Sequence, residues 1–217
     1  MYFRFLWMLF CALAMGCGAA DTSKTTEPNT APVKTRVLLL SHASVDAAVV
    51  SNALLWAEQN TYVEWELDVA SFAKGKAPAE VLAELATHQG ESWFGIIGVG
   101  PLMASVPVHL QADTNQMVAV VNTAALAHDD QAVFTRRLER QFIRAYASLL
   151  GMGPSPNPRC CLFPYRTTAM LDQIGRNCCP PFEIKMRKLG KARGLEERVM
   201  PLPSQHRLLR PKSDNEK

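Results

Sequence analysis

The sequence RAYASLLGMGP, residues 144–154, decides the fold prediction together with NPRCCLFPY, residues 157–165. The first of these stretches ends an amphipathic pattern over residues 131–150, in which apolar side chains recur every three or four positions. Gly151 follows that pattern directly, as glycine commonly does at the end of a helix. Prolines and a pair of cysteines then interrupt regular structure. We therefore predict a long helix, a glycine turn and a cysteine-bearing segment.

Upstream of this helix, short apolar runs alternate with helical patterns, as is typical of an α/β fold. We predict a single layered domain over residues 36–195, with a mixed sheet, flanking helices and a C-terminal part that cysteines hold together. The predicted strands are residues 36–41, 61–72, 93–99 and 116–122. The other predicted helices are residues 43–59, 78–88 and 181–193.

The N-terminal part of the chain predicts export. Residues 1–20 hold Arg4, an apolar run and small residues, which is the pattern of a signal peptide. Two processing predictions stay open, because LAMGC, ending at Cys17, resembles a bacterial lipobox while GAA, residues 18–20, suits ordinary signal peptidase. Residues 21–35 are rich in Thr, Ser, Pro and Lys and predict a disordered linker. The linker favours a lipoprotein of the bacterial cell envelope, anchored in the membrane through Cys17.

Residues 196–217 predict a basic, flexible tail. From residue 184 onward the chain has ten Lys and Arg against four Asp and Glu. This balance would suit nucleic acid, but an exported protein meets little of it. We therefore expect no nucleic-acid partner and interpret the tail as a solvated segment near anionic lipid or polymer.

The helix, the glycine turn and the cysteines together resemble the archaemetzincins, a family of metzincin zinc proteases. That family has the motif HExxHxxGxxH, then a cysteine, a second cysteine five residues on, a methionine two further and a CxxC pair. Gly151 stands at the motif glycine, Cys160 at the second cysteine and Leu162 at the methionine. Cys178 and Cys179 lie near the CxxC position. The resemblance implies a metzincin-like fold over residues 36–195.

The motif positions that would bind and activate zinc hold other residues. Arg144, Ala145, Ser148 and Pro154 stand at the first histidine, the glutamate and the second and third histidines. Arginine has no lone pair to donate, and alanine and proline offer neither a ligand nor a base. The resemblance thus implies a pseudo-peptidase that binds peptide or protein. Two alternatives stay open: an active zinc peptidase or other hydrolase with its groups elsewhere, for example at His42 or His109, and a purely structural envelope protein.

Arg144 and Ser148 have two interpretations. With Arg137, Arg140 and Gln141 they form a polar stripe at helical spacing, which favours a solvated helix face. Alternatively, Arg144 lies at the base of the former cleft, supplies the positive charge that zinc would supply there, and binds a carboxylate through two hydrogen bonds.

The vicinal pairs Cys160-Cys161 and Cys178-Cys179 also have two interpretations. Four thiolates could close a structural zinc site, but adjacent cysteines chelate less well than CxxC pairs do. An exported protein can form disulfides, which would link the two segments without a metal. We therefore prefer disulfides between the pairs. Apart from the possible structural zinc, we expect no cofactor.

Overall fold

A computed structural model describes residues 36–72, 74–90, 92–103, 105, 108–195 and 197. The predicted signal peptide with Cys17, the linker, and the tail apart from Glu197 lie outside the described residues, so these remain predictions. None of the described helices combines the length and apolar character that a bilayer crossing requires.

Five strands form one mixed sheet, as the alternating pattern predicted. The strand order is β2-β1-β3-β5-β4. The first three pairings in this order are parallel, and β4 alone runs antiparallel to its neighbour β5. The strands are β1 (Arg36–His42), β2 (Glu64–Ala70), β3 (Trp93–Gly100), β4 (Leu110–Asp113) and β5 (Val118–Asn122).

Helices cover both faces of the sheet and confirm the α/β class. They are α1 (Ala47–Thr61), α2 (Pro78–Ala86), α3 (Thr123–Leu126), α4 (Gln131–Leu149), α5 (Thr168–Gln173) and α6 (Pro180–Ala192). Strand β4 and the short helices α3 and α5 were not predicted, because four to six residues are too few for a clear apolar period.

Helix α4 organises the larger of two cores. Its residues Phe142 and Tyr146 are buried against the aromatic side chain of Trp65 from β2, with ring centroids 6.3 and 6.1 Å away. The helix begins where the Asp130 side chain accepts a hydrogen bond from the backbone N–H of Ala132. It ends before Gly151, whose φ of 75° a β-carbon would disfavour.

The prediction of a strand over residues 61–72 was wrong at both ends. Thr61 is the last residue of α1, and its hydroxyl donates to the carbonyl of Ala57. Val69 was expected on a buried face but is 66% exposed. Strand β2 is an edge strand in the described sheet, and the packing that buries Trp65 does not extend to Val69.

Candidate functional site

The polar stripe of α4 faces the interior, so its interpretation as a solvated face was wrong. Arg137, Arg140 and Gln141 are only 5%, 6% and 0% exposed. Residues 154–176, called the covering segment below, fold back over this side of the helix. Within this segment, residues 161–176 supply hydrogen-bond partners to α4. The amphipathic pattern alone could not reveal this cover, because the covering segment has little regular structure.

Two arginine–carboxylate pairs join α4 to the covering segment. Arg137 donates to both oxygens of Asp172, at 2.9 and 2.7 Å, and this guanidinium holds the pKa of that carboxyl below its usual range. Arg176 donates to both oxygens of Glu139, at 2.5 and 2.6 Å. Bidentate geometry of this kind fixes orientation as well as supplying attraction.

Two further arginines of α4 donate hydrogen bonds only to main-chain carbonyls within the described residues. Arg140 donates to the carbonyls of Arg136, Ile174 and Gly175, at 3.0 to 3.3 Å. Arg144 donates from Nη1 to the carbonyls of Cys161 and Phe163, at 2.8 and 2.9 Å. Burial lowers the pKa of both groups, but a guanidinium stays protonated in proteins.

A positive charge of two units therefore remains at this interface. The four guanidiniums of Arg137, Arg140, Arg144 and Arg176 face two carboxylates, both of which are already engaged in ion pairs. Within the described part of the chain, neither Arg140 nor Arg144 forms an ion pair. Buried charge without a counter-ion is costly, so an anion near either group would be stabilised.

A cleft of about 160 Å³ lies between α4, β4 and the covering segment. It brings together three of the four degenerate motif positions, Arg144, Ser148 and Pro154, and the nearby Leu162. Ala145 instead points into the core, where it is fully buried. The remaining lining residues are Leu110, Ala147, Met152 and Gly153.

Leu162 is one of the residues that line the cleft. Its side chain is buried, and its carbonyl accepts a hydrogen bond of 3.0 Å from the backbone N–H of Ser155. This bond closes the loop of residues 155–162, which directly follows Pro154 and contains Cys160 and Cys161. Leu162 thus supports the cleft through packing, which needs an apolar side chain and no metal ligand.

A partly buried hydrogen-bond network next to the cleft was not predicted from the sequence. Gln141 Nε2 donates to the hydroxyl of Tyr165 at 2.7 Å, and that hydroxyl lies 3.1 Å from Nδ1 of His109. Burial raises the pKa of Tyr165, and burial followed by the charges of Arg137 and Arg144 lowers the pKa of His109. The hydroxyl of Tyr165 thus joins Gln141 to His109, and the direction of its bond with His109 depends on the tautomer of the imidazole.

No sequence signal marks this hydrogen-bond network, because His109, Gln141 and Tyr165 lie on separate segments of the sequence. His42, the other histidine considered for catalysis, makes a local turn instead. Its Nδ1 lies 2.8 Å from the hydroxyl of Ser44 and accepts the backbone N–H of the same residue.

The four described cysteines are buried and free. The Sγ atoms of Cys160, Cys161 and Cys178 all lie within 4.8 Å of one another, and those of Cys161 and Cys178 are 3.5 Å apart. A disulfide bond is about 2.05 Å long. The preference for disulfides is thus not supported by the structure, which instead forms a cluster of three thiols.

Cys179 lies beside this cluster without joining it. Its Sγ is 3.6 Å from the hydroxyl of Ser155, while its backbone N–H donates to Sγ of Cys160 at 3.2 Å. The backbone N–H of Cys161 donates a hydrogen bond of 2.8 Å to the carbonyl of Asn177. This bond joins the two cysteine segments, one with Cys160 and Cys161 and the other with Cys178 and Cys179.

Solved structures of zinc-dependent peptidases share this fold. An archaemetzincin from Methanopyrus kandleri aligns with a TM-score of 0.61 and 16% identity, over 73% of this chain and 97% of that one. A zinc-dependent peptidase from Methanocorpusculum labreanum gives 0.59 and 16%, over 69% and 99%. An archaemetzincin from Archaeoglobus fulgidus, complexed with malonate, gives 0.57 and 14%, over 69% and 99%.

The chain therefore has an archaemetzincin-like fold with a divergent sequence. No protein-family model matches the chain, and no curated protein matches it in sequence. The structural likeness confirms the predicted fold, while the low identity leaves the activity to be judged from the site itself.

The residues present do not fit the zinc sites that the fold implies. Arginine, alanine and proline cannot ligate a catalytic zinc, and among the described residues the three thiols are the one group of at least three potential metal ligands. The thiol cluster can hold a metal ion, but it offers three sulfurs where a closed structural zinc site has four ligands.

Proposed function

We propose that this chain is a catalytically inactive, metalloprotease-like protein that binds a peptide or protein through a carboxylate. Arg144 is the observation that carries the proposal. In the sequence it stands at the motif position of the first zinc-binding histidine. In the structure it lines the cleft, and within the described residues it has no anionic partner.

The hydrogen bonds of Arg144 leave part of the guanidinium available. Both hydrogen bonds start from Nη1, so Nε and Nη2 have no acceptor among the described residues. A carboxylate is the natural partner for two parallel N–H groups of this kind. The ring of Tyr165, 4.8 Å from the guanidinium carbon, and the two carbonyls hold the arginine in place, which reduces the entropy lost on binding.

Strand β4 offers a place for the rest of a peptide. In the described sheet β4 pairs only with β5, so its other edge presents main-chain donors and acceptors. An extended peptide can add to such an edge as a further strand. Leu110 at the start of β4 also lines the cleft, so a peptide on this edge could bring a carboxylate to Arg144.

Loss of catalysis follows from the chemistry of the same positions. Peptide hydrolysis by a metzincin needs a metal-bound water and a carboxylate base, and Arg144, Ala145, Ser148 and Pro154 provide neither. The malonate in the Archaeoglobus fulgidus structure is a dicarboxylate, which makes malonate a suitable probe for this chain as well.

We further propose that the protein acts in the bacterial cell envelope. The signal-like residues 1–20, the lipobox ending at Cys17 and the polar residues 21–35 support a lipid anchor followed by a spacer. The binding domain would then face the compartment outside the cytoplasmic membrane.

A malonate titration followed by thermal unfolding tests the cleft. A ligand that binds only the folded state raises Tm as its concentration exceeds Kd. We expect malonate to raise the Tm of the wild-type chain and to have little effect on Arg144→Gln. Arg159→Gln is the matched control, because it removes an equal charge from an exposed position close by in sequence. An equal response of wild type and Arg144→Gln would refute the role of Arg144.

A further inference from the structure

We propose that Cys160, Cys161 and Cys178 form a three-coordinate thiolate site for one monovalent, thiophilic metal ion, namely copper(I). This inference shares Arg144 with the proposed peptide cleft, but a copper(I) titration and a malonate titration test the two separately. It assigns to the cluster a ligand number and a metal different from the zinc that the fold implies.

The spacing of the three sulfurs suits a trigonal site. A metal about 2.3 Å from each of three sulfurs in one plane places the sulfurs about 4 Å apart. In the structure the three Sγ atoms lie within 4.8 Å of one another, and the shortest separation is 3.5 Å. Binding thus requires only small rotations of side chains that already converge.

A fourth ligand is missing from the described surroundings. The Sγ atom of Cys179 points to the hydroxyl of Ser155, and no His, Asp or Glu side chain joins the group. All three cysteines are buried, so solvent water does not readily supply the fourth position. Zinc in a closed structural site takes four ligands, whereas soft thiolate sulfurs also favour copper(I).

The charge around the cluster favours a monovalent ion. Of the four interface guanidiniums, Arg140 and Arg144 have no carboxylate partner among the described residues, and negative charge on Cys161 raises the pKa of both. Three thiolates with one monovalent ion carry a charge of minus two, which balances these two arginines. With a divalent ion the complex carries only minus one, and one positive charge stays uncompensated.

The main chain around the cluster is arranged to support thiolates. Sγ of Cys160 accepts a hydrogen bond from the backbone N–H of Cys179. Arg144 donates to the carbonyl of Cys161, which fixes the position of that residue against α4. Contacts of this kind orient metal ligands and tune their affinity.

An anaerobic titration of the reduced protein with copper(I), in competition with bathocuproine disulfonate, tests the site. We expect one equivalent to bind to the wild-type chain. Cys178→Ser should weaken binding by more than the roughly 10- to 100-fold that loss of a supporting contact causes. Cys179→Ser is the matched control and should change affinity by less than about tenfold, since its backbone N–H remains.

X-ray absorption on the copper-loaded wild type gives a second result that does not depend on the folding of any variant. Three sulfur neighbours and no nitrogen support the proposal. Two or four sulfurs, or no bound copper(I), would overturn it. Zinc(II) titrated in parallel should bind less tightly, and tight zinc binding that is lost in Cys179→Ser would establish a four-thiolate zinc site instead.

Discussion

Gly175 packs closely against the backbone of Arg159, next to Cys160, so Gly175→Ala tests the packing of the whole cluster. A β-carbon built on Gly175 would lie 1.7 Å from the carbonyl oxygen of Arg159 and 2.3 Å from its carbon. The backbone N–H of Gly175 also donates to the carbonyl of Pro158 at 3.2 Å. The substitution must therefore push the segment with Cys178 away from the segment with Cys160.

The magnitude follows from the size of this overlap. Ordinary van der Waals contact begins at 3.4 Å, so the two segments must separate by about 1.7 Å. Overpacking in a well-packed interior costs ~1–3 kcal/mol. We expect about 3 kcal/mol for Gly175→Ala, because the obstacle is backbone and not the end of a flexible side chain. For a chain of this size that loss corresponds to a fall in Tm of roughly 6–12 °C.

Urea unfolding followed by far-UV circular dichroism measures the loss, with Gly153→Ala as the matched control. A β-carbon on Gly153 meets nothing within 4 Å, and this residue is not among the glycines with positive φ. We expect the control to be unchanged or stabilised by ~0.4–1 kcal/mol through the unfolded chain. Equal stabilities of the two variants would refute the close approach of the cysteine segments and with it the geometry of the thiol cluster.

Three further substitutions test the interface between α4 and the covering segment. Asp172→Asn leaves the buried cation of Arg137 without its carboxylate. We expect the free energy of unfolding, measured with urea, to fall by ~1–2 kcal/mol, which is less than the usual ~3–5 kcal/mol for a buried pair. The loss is smaller because Asp172 is 33% exposed and Arg137 keeps two carbonyl acceptors. An unchanged stability would contradict that pairing. Tyr165→Phe removes the acceptor of Gln141 and should cost ~1–3 kcal/mol. The control Tyr62→Phe removes a bond to Glu183 and should cost less, because Tyr62 is less deeply buried than Tyr165. His109 has a lowered pKa in the folded chain, so its contribution to the free energy of unfolding is present above about pH 6.5 and is lost as the pH falls through the folded pKa. The Tm of His109→Gln should therefore fall less between pH 7 and pH 5 than the Tm of the wild type. The control His88→Gln, at an exposed position, should retain the wild-type dependence of Tm on pH.

The sequence predicted the parts of the fold that have long, regular apolar patterns. Helix α4 illustrates this, because its 19 residues carry a clear period between the cap at Asp130 and the turn at Gly151. Strand β4 has only four residues, LQAD, all half-buried, and an alternation this short does not distinguish a strand from a loop. Its place at the cleft could be learned only from its pairing with β5.

The site was predictable in its motif positions but not in its surroundings. Arg144, Ser148, Pro154 and Leu162 were identified from the spacing of the motif, and the structure places all four around one cleft. The burial of Arg140 and Gln141 was not predictable, since it depends on a covering segment whose path is set by turns and arginine–carbonyl bonds. The same segment determines which cysteines meet.

Carboxylate binding without cleavage can be measured by affinity selection from a hexapeptide library on the immobilised chain, with mass spectrometry of the eluted peptides. Half of the library carries free C-terminal carboxylates and the other half C-terminal amides. We expect the bound peptides to be intact and enriched in free carboxyl termini. We expect Arg144→Gln to lose this enrichment while Arg159→Gln keeps it. Cleaved peptides, or equal retention of amidated and free peptides, would show that the chain is not an inactive protease fold that binds carboxylates.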